Sequence, residues 1–226
     1  MAREHNFLLG KGELLTDPVT VAKSGGEKNP PYKFAIAKKR ISEKLKNTTD
    51  RLAAVPSAAC PGDEVVALMT IHPRYVAKSD FPIKLLKTVG LRAIGTRPKK
   101  IKPESWGIKE HPKEAVAEQI FVAGKKSSFN NWLDRLPSWN ERTPGALLLT
   151  QVEDLAPFEA KDKLRSIPND VEQVVLEVVL HNQGRSQIVD EFQAYAQQVG
   201  ANPLLHRIKT IGGLTFIPVR APRDKS

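Results

Sequence analysis

The sequence has few of the features that would mark a secreted, membrane-bound or disulfide-linked protein. Only one cysteine, Cys60, is present among 226 residues, so no internal disulfide can form and a cytoplasmic compartment is predicted. Apolar runs such as Val174–Leu176 and Val178–Leu180 stay far below the roughly 20 residues that span a bilayer. Met1–Gly10 lacks the apolar segment of a signal peptide. These absences predict a soluble cytoplasmic protein without a membrane partner.

The motifs that carry catalysis or cofactor binding are also missing. The sequence contains no GxGxxG, no GxxxxGK[ST] and no GxSxG, which excludes the common dinucleotide, P-loop and nucleophile-elbow sites. The adjacent carboxylates Glu153 and Asp154 point to opposite faces if they lie in a strand, so they do not form a catalytic pair. No two histidines lie three or four residues apart, and one cysteine cannot complete a zinc site. The histidines are His5, His72, His111, His181 and His206. We therefore assign no catalytic, cofactor-binding or metal-ligating residue.

The charge of the chain leaves one binding function open. Lys and Arg number 35 against 25 Asp and Glu, a formal net charge of +10, and the excess lies in the first two thirds. The densest basic stretch surrounds Trp106, on which a base could stack while lysines hold phosphates. Its basic residues are Arg92, Arg97, Lys99, Lys100, Lys102, Lys109 and Lys113. The next predicted strand offers only Phe121 as an aromatic, so the signature of the RNA recognition module is absent. Nucleic acid stays open as an alternative partner.

A second, weaker anion signal lies farther along the chain. Ser127 and Ser128 follow Lys125 and Lys126 at a predicted helix start, where anions are attracted. N-capping by a serine is the simpler interpretation.

Hydrophobic periodicity predicts an α+β protein. Residues 1–32 read as an extended arm and linker, and residues 33–56 as a helix. Within residues 57–156 the pattern is β-α-β-β-α-β, with strands at Glu64–His72, Leu91–Ile94, Ala117–Ala123 and Ala146–Val152. This order is that of the ferredoxin-like split β-α-β unit, in which helices cover one face of an antiparallel sheet.

The pattern begins again in residues 157–226. Val171–His181 alternates as a strand, and Ile188–Val199 follows with a helical stripe. Leu204–Lys209 and Leu214–Val219 read as two further strands, and a basic tail ends the chain. The result is β-α-β-β, a unit without its final helix and strand. It predicts either a region of a longer parent chain or a native short form.

Three sequence blocks resemble a known family. They are His72–Pro82 continued by Val89–Pro98, Ile120–Gly124 (IFVAG), and Gly212–Arg220 (GGLTFIPVR). Together they resemble the N-terminal, non-catalytic region of large bacterial subtilisin-like serine proteases (subtilases). In some of these the protease is paired with an AAA-type ATPase and implicated in anti-phage defence.

The resemblance implies an accessory function. The catalytic Asp, His and Ser of that family lie downstream, and none of their motifs occurs in this sequence, so no residue is carried over. Subtilase propeptides are themselves small β-α-β-β-α-β domains that template the protease and block its cleft with an extended tail. We therefore expect a regulatory or propeptide-like region that folds or gates a subtilisin-like endopeptidase in cis or in trans. The ATPase is a further implied partner, and Val219–Ser226 is the candidate for a cleft-binding tail.

Overall fold

The computed structural model is α+β, with two four-stranded antiparallel sheets and helices packed on them. It describes residues 29–75, 80–106, 114–159, 162, 172–181 and 187–222. Most of the predicted arm and the last four residues lie outside the described residues. Every described helix is too short or too polar to cross a bilayer.

The first sheet is formed by four strands from residues 64–157. Its helices are α1 (Phe34–Ala53), α2 (Ile83–Thr88) and α3 (Lys126–Arg135). Its strands are β1 (Glu64–Ile71), β2 (Arg92–Ile101), β3 (Ala115–Lys125) and β4 (Val152–Pro157). The strand order is β2-β3-β1-β4, and each neighbouring pair is antiparallel. β2 and β4 are therefore the two edges.

The second sheet follows in the chain and is smaller. Its elements are β5 (Gln173–His181), α4 (Ile188–Gln198), β6 (Asn202–Pro203), β7 (Lys209–Ile211) and β8 (Leu214–Pro222). β8 pairs with β5 along one side and with the short strands β6 and β7 along the other, always antiparallel. Helix α4 contacts the two 3-10 turns between residues 57 and 63 of the first unit.

The main hydrophobic core lies between the first sheet and its helices. Alternate residues of β1 from Val65 to Ile71 are at most 5% exposed, because strand geometry sends every second side chain to the same face. They belong to the same buried cluster as Ile41 of α1 and Phe129 and Trp132 of α3. Ile41, Phe129 and Trp132 therefore lie on the faces that α1 and α3 bury.

Strand β2 is longer than the sequence pattern predicts. The prediction that it ends at Gly95 is wrong, because it continues to Ile101. A register shift between Ala93 and Gly95 accommodates the glycine as a bulge. Pro98 is tolerated because β2 is an edge strand, where a missing N–H breaks no ladder bond.

Two other predicted strands are also wrong. Ala146–Gln151 is a 3-10 helix, and the fourth strand begins only at Val152. Short apolar runs cannot be assigned by periodicity alone, and this one is buried as a turn with Ala146 and Leu149 at 0% exposure. Within the predicted strand Leu204–Lys209, residues Leu205–Arg207 form a 3-10 turn. The chain pairs in the sheet only before this turn, in β6, and after it, in β7.

Candidate functional site

The densest group of ionisable side chains among the described residues lies where α1 meets the β4 edge of the first sheet. It contains Tyr32, just before α1, Arg40 on α1, Glu104 after β2, and Glu153 on β4. We call these four residues the edge cluster. Glu153 is only 6% exposed and Tyr32 only 5%, so this half of the cluster is shielded from solvent, whereas the Glu104 side chain is 61% exposed.

Arg40 is the centre of the edge cluster. Its Nε donates to Glu104 Oε2 at 2.9 Å, its Nη2 lies 2.9 Å from Glu104 Oε1, and Nη2 also reaches Glu153 Oε1 at 3.3 Å. Burial alone would lower the pKa of Arg40, but the hydrogen bond to Glu104 and the charge of Glu153 outweigh it and raise the pKa. The same hydrogen bond from Arg40 lowers the pKa of Glu104. The ion pair is thus held in its charged form.

Tyr32 and Glu153 complete the cluster with short hydrogen bonds. The Tyr32 hydroxyl donates to Glu153 Oε2 at 2.7 Å and accepts from the Ser105 N–H at 3.2 Å. The Glu104 N–H donates to Glu153 Oε1 at 3.0 Å. Burial, followed by the contact with Glu153, raises the pKa of Tyr32 well above its usual value. The phenol therefore stays protonated and remains a donor.

His72 lies beside the cluster and is fully buried. Its Nδ1 accepts from the Arg74 N–H at 3.2 Å, which assigns the proton to Nε2, and Nε2 then donates to the Ser105 carbonyl at 2.8 Å. Burial lowers the pKa of His72 and favours the neutral ring. Nδ1 therefore holds the turn after β1, and Nε2 holds the segment after β2.

The edge cluster and His72 are built to hold the chain rather than to transfer protons. A general base needs an unoccupied lone pair at a reacting atom, whereas His72 and Tyr32 spend their polar atoms on neighbouring backbone and side chains. What the cluster does is tie three segments distant in sequence, around Tyr32, Glu104 and Glu153, to α1. Sequence analysis missed it, because Tyr32 falls in a predicted linker and Glu153 was considered only with Asp154.

The basic stretch around Trp106 is only partly available for a ligand. The Trp106 ring packs against His72 with ring centroids 5.5 Å apart, so one of its faces is already used. Arg92 pairs with Glu64 at 2.6 Å. Lys99 and Lys100 are exposed, whereas Lys109 and Lys113 lie outside the described residues.

A different aromatic site lies on the face of the first sheet opposite the core. The guanidinium of Arg97 lies 5.3 Å from the ring centroid of Phe121, and Phe121 packs edge-on against Phe158 at 5.1 Å. Arg97 also donates to the Gln119 side chain at 2.8 Å. Lys99 follows Arg97 by two residues along β2, so it projects from the same face.

The predicted serine cap of α3 is wrong. Helix α3 begins at Lys126 with Lys125 as its N-cap, and no side chain caps it, so Ser127 and Ser128 lie inside the first turn. Ser128 lines a cavity of about 260 Å³ between α2 and α3, together with Lys87 and Arg135.

The second sheet presents apolar side chains on its outer face. Val175 and Val179 of β5 are 62% and 43% exposed, and Ile211 of β7 is 68% exposed. Isolated exposed apolar residues are common, but three on one sheet face form a patch of the kind that binds other proteins. The segment Val219–Ser226 does not begin as a free tail, because Val219–Pro222 pairs with Gln173–Leu176 within β8 and β5.

Comparison with known proteins adds no family assignment. No protein-family model, no curated protein and no solved structure matches the chain.

Proposed function

We propose that this chain is a non-catalytic, partner-binding region that folds or gates a subtilisin-like serine protease domain, in cis or in trans. The observation that carries the proposal is the exposed apolar patch of the second sheet, formed by Val175, Val179 and Ile211. The Tyr32 hydroxyl and the His72 ring nitrogens are already hydrogen-bonded to neighbouring groups, which supports a binding function over a catalytic one.

The order of the strands supports the propeptide-like part of the proposal. An antiparallel order β4-β1-β3-β2, built from a β-α-β-β-α-β chain, agrees with a ferredoxin-like unit. The second sheet has the matching β-α-β-β start, with β8 beside β5. Such units are the architecture that the resemblance to subtilase propeptides implies.

Docking through a sheet face is favoured over inhibition by a tail. The first half of the proposed tail is paired in β8, so placing it in a protease cleft would break its ladder with β5. Covering Val175 and Val179, by contrast, leaves that ladder intact and contributes about 1 kcal/mol for each side chain. Glu177 lies between them on the same face, so the partner also has to supply a group that pairs with its carboxylate. The region would then gate or template the protease from outside the cleft. An AAA-type ATPase is the further partner that the resemblance implies.

The test is binding to a subtilisin-like protease domain encoded with this chain. We expect a complex in isothermal titration calorimetry and a changed rate of cleavage of a peptide substrate. Replacing both valines, Val175→Lys with Val179→Lys, is expected to weaken binding by roughly 10-fold or more, since each 1.4 kcal/mol is tenfold. The matched control is Ile83→Lys, because Ile83 is 53% exposed but lies on α2 of the first unit. Absence of a complex, or equal loss in the control, would refute the proposal.

A second candidate function is binding of single-stranded nucleic acid. The observation that favours it is the Arg97 and Phe121 pair, with Lys99 on the same sheet face. Stacking of a base on an aromatic ring is worth about 1–3 kcal/mol, so Phe121→Leu should weaken salt-dependent binding of an oligonucleotide several-fold or more. The matched control is Phe216→Leu on the second sheet, which should leave that binding unchanged. Equal affinity of both variants would exclude this sheet face as the site.

A further inference from the structure

Strand β5 holds the place in the second sheet that β1 holds in the first. Each is the first strand of its unit, is followed by a helix, and pairs with the long strand that ends the next hairpin. However, β1 is hydrogen-bonded on both sides, to β3 and to β4, whereas β5 pairs only with β8 among the described residues. By this comparison, the free edge of β5 is where a fourth, antiparallel strand would lie.

Burial along the two strands differs in the same way. On the core face of β1, residues from Val65 to Ile71 are at most 5% exposed. On the corresponding face of β5, Val174 is buried but Leu176, Val178 and Leu180 are each only half-buried. The apolar surface of β5 is thus incompletely covered on both of its faces.

The edge strands β2 and β5 are also protected differently. The β2 edge has the devices that prevent pairing with another chain, namely the bulge at Gly95, Pro98, and the lysines Lys99 and Lys100. Strand β5 has the sequence QVVLEVVLH, with neither proline, glycine nor lysine. Its register with β8 is regular over all nine residues. Among the described residues β5 is therefore a regular edge strand without the bulge, proline or lysines of β2, and such an edge is available to a further strand.

One charge on β5 defines what can pair with it. Glu177 is exposed at the centre of the outer face, between Val175 and Val179, and its cross-strand neighbour on β8 is Pro218. Proline offers no charge, and the basic residue on that side, Arg220, lies diagonally across from Glu177, opposite Val175. A basic residue directly opposite on an added strand would pair with it, at roughly 0.2–1 kcal/mol, whereas an acidic residue would be repelled.

We propose that the β5 edge binds an extended segment of a partner protein as an additional antiparallel strand. The segment would place apolar side chains opposite Val175 and Val179 and a lysine or arginine opposite Glu177. Main-chain hydrogen bonds would provide the affinity, and the alternating side chains the specificity. This inference extends the proposed partner-binding function. It rests on that proposal only for the existence of a partner protein, and it does not require the partner to be a protease.

The test uses two labelled peptides with the full chain. The first is Thr-Val-Leu-Lys-Leu-Val-Thr, and the second has Glu in place of Lys. Fluorescence anisotropy should show binding of the Lys peptide to the wild-type chain, with the Glu peptide roughly 3- to 10-fold weaker. In Glu177→Lys the preference should reverse. Amide hydrogen exchange should slow in β5 when the Lys peptide is bound.

Two variants on the same sheet separate edge binding from general stickiness. Val179→Lys should abolish peptide binding, whereas Ile211→Lys should leave it unchanged, because Ile211 lies on β7 across β8 from β5. Circular dichroism of both variants checks that they are folded. No binding of either peptide, or a preference that does not reverse in Glu177→Lys, would overturn the inference.

Other outcomes would identify a different occupant or a failure of the wider proposal. Dimerisation in analytical ultracentrifugation that is lost in Val179→Lys and kept in Ile211→Lys would assign the edge to a second copy, and overturn the partner segment. Peptide binding without any complex with the protease domain would refute the proposed protease function and leave the strand addition standing. A complex with the protease domain without binding of either peptide would refute the strand addition and leave the proposed protease function standing.

Discussion

The replacement of Tyr32 by phenylalanine tests whether the edge cluster holds the N-terminal end of α1 on the sheet. The variant Tyr32→Phe removes one oxygen atom and keeps the ring. That oxygen donates to Glu153 Oε2 at 2.7 Å and accepts from the Ser105 N–H at 3.2 Å. The ring itself remains beneath the Arg40 guanidinium, whose carbon lies 3.9 Å from the ring centroid. The change therefore isolates two hydrogen bonds.

The expected loss of stability follows from these two bonds. A hydrogen bond to a charged group contributes about 1.5–3 kcal/mol, and a neutral one about 0.5–1.5 kcal/mol. Because Glu153 is buried, its carboxylate cannot replace the lost donor with bulk water. We expect Tyr32→Phe to lower the free energy of unfolding by roughly 2–3 kcal/mol, which is a shift of about 1 M in a urea midpoint. Urea is preferred because it does not screen the ion pair.

Tryptophan fluorescence assigns the loss to the first unit, because all three tryptophans, Trp106, Trp132 and Trp139, lie there. Far-UV circular dichroism follows both units. The matched control is Tyr195→Phe on α4, which should change stability by less than about 0.5 kcal/mol. In a double-mutant cycle with Glu153→Gln, the effect of Tyr32→Phe should shrink by about 1 kcal/mol or more. Equal effects of the two tyrosine variants, or no coupling to Glu153, would refute the assignment.

The remaining predictions concern a buried histidine and two glycines. Burial lowers the pKa of His72, so as the pH falls the His72 ring is protonated in the unfolded chain at a higher pH than in the folded chain. The free energy of unfolding is therefore at its full value above about pH 6.5 and decreases as the pH falls toward the lowered pKa. Urea midpoints between pH 7.5 and pH 5.5 should show this slope flattened in His72→Gln and kept in His206→Gln; an unchanged slope in both would contradict it. Gly145 and Gly200 have φ of +77° and +76°, but an added Cβ meets the Leu85 backbone at 2.8 Å only at Gly145. Thermal unfolding should therefore show a loss of about 1 kcal/mol for Gly200→Ala and roughly 3 kcal/mol or more for Gly145→Ala, and equal losses would disprove the backbone clash.

Elements with a long, regular hydrophobic period could be predicted from the sequence. The strand around Leu176 and the helix after Ile188 agree closely with β5 and α4, because alternation and the helical stripe extend over three or more repeats. The errors fall where the period is short or interrupted. Gly95 and Pro98 signal a strand end, and only the position of β2 at the sheet edge makes both compatible with a longer strand.

The edge cluster could not be predicted, because its members are far apart in sequence. Tyr32 and Glu153 are separated by 121 positions, and neither belongs to a spacing pattern that marks a site. Arg40 lies in a basic stretch of α1 between Lys39 and Lys44, and nothing in that pattern marks it as the residue that meets Glu153. Burial of a charge becomes visible only when the packing of α1 on β4 is known, since only then do Arg40 and Glu153 face each other.

The two units differ in the pairing of their first strands, β1 and β5, and this difference connects the fold to the proposed function. In the first unit, β4 pairs with the outer side of β1 and supplies Glu153 to the edge cluster. In the second unit, no described strand pairs with the outer side of β5. The first unit therefore pairs its first strand on both sides, whereas β5 keeps one side unpaired among the described residues and carries the exposed Val175 and Val179. Binding is expected at the second unit for this reason.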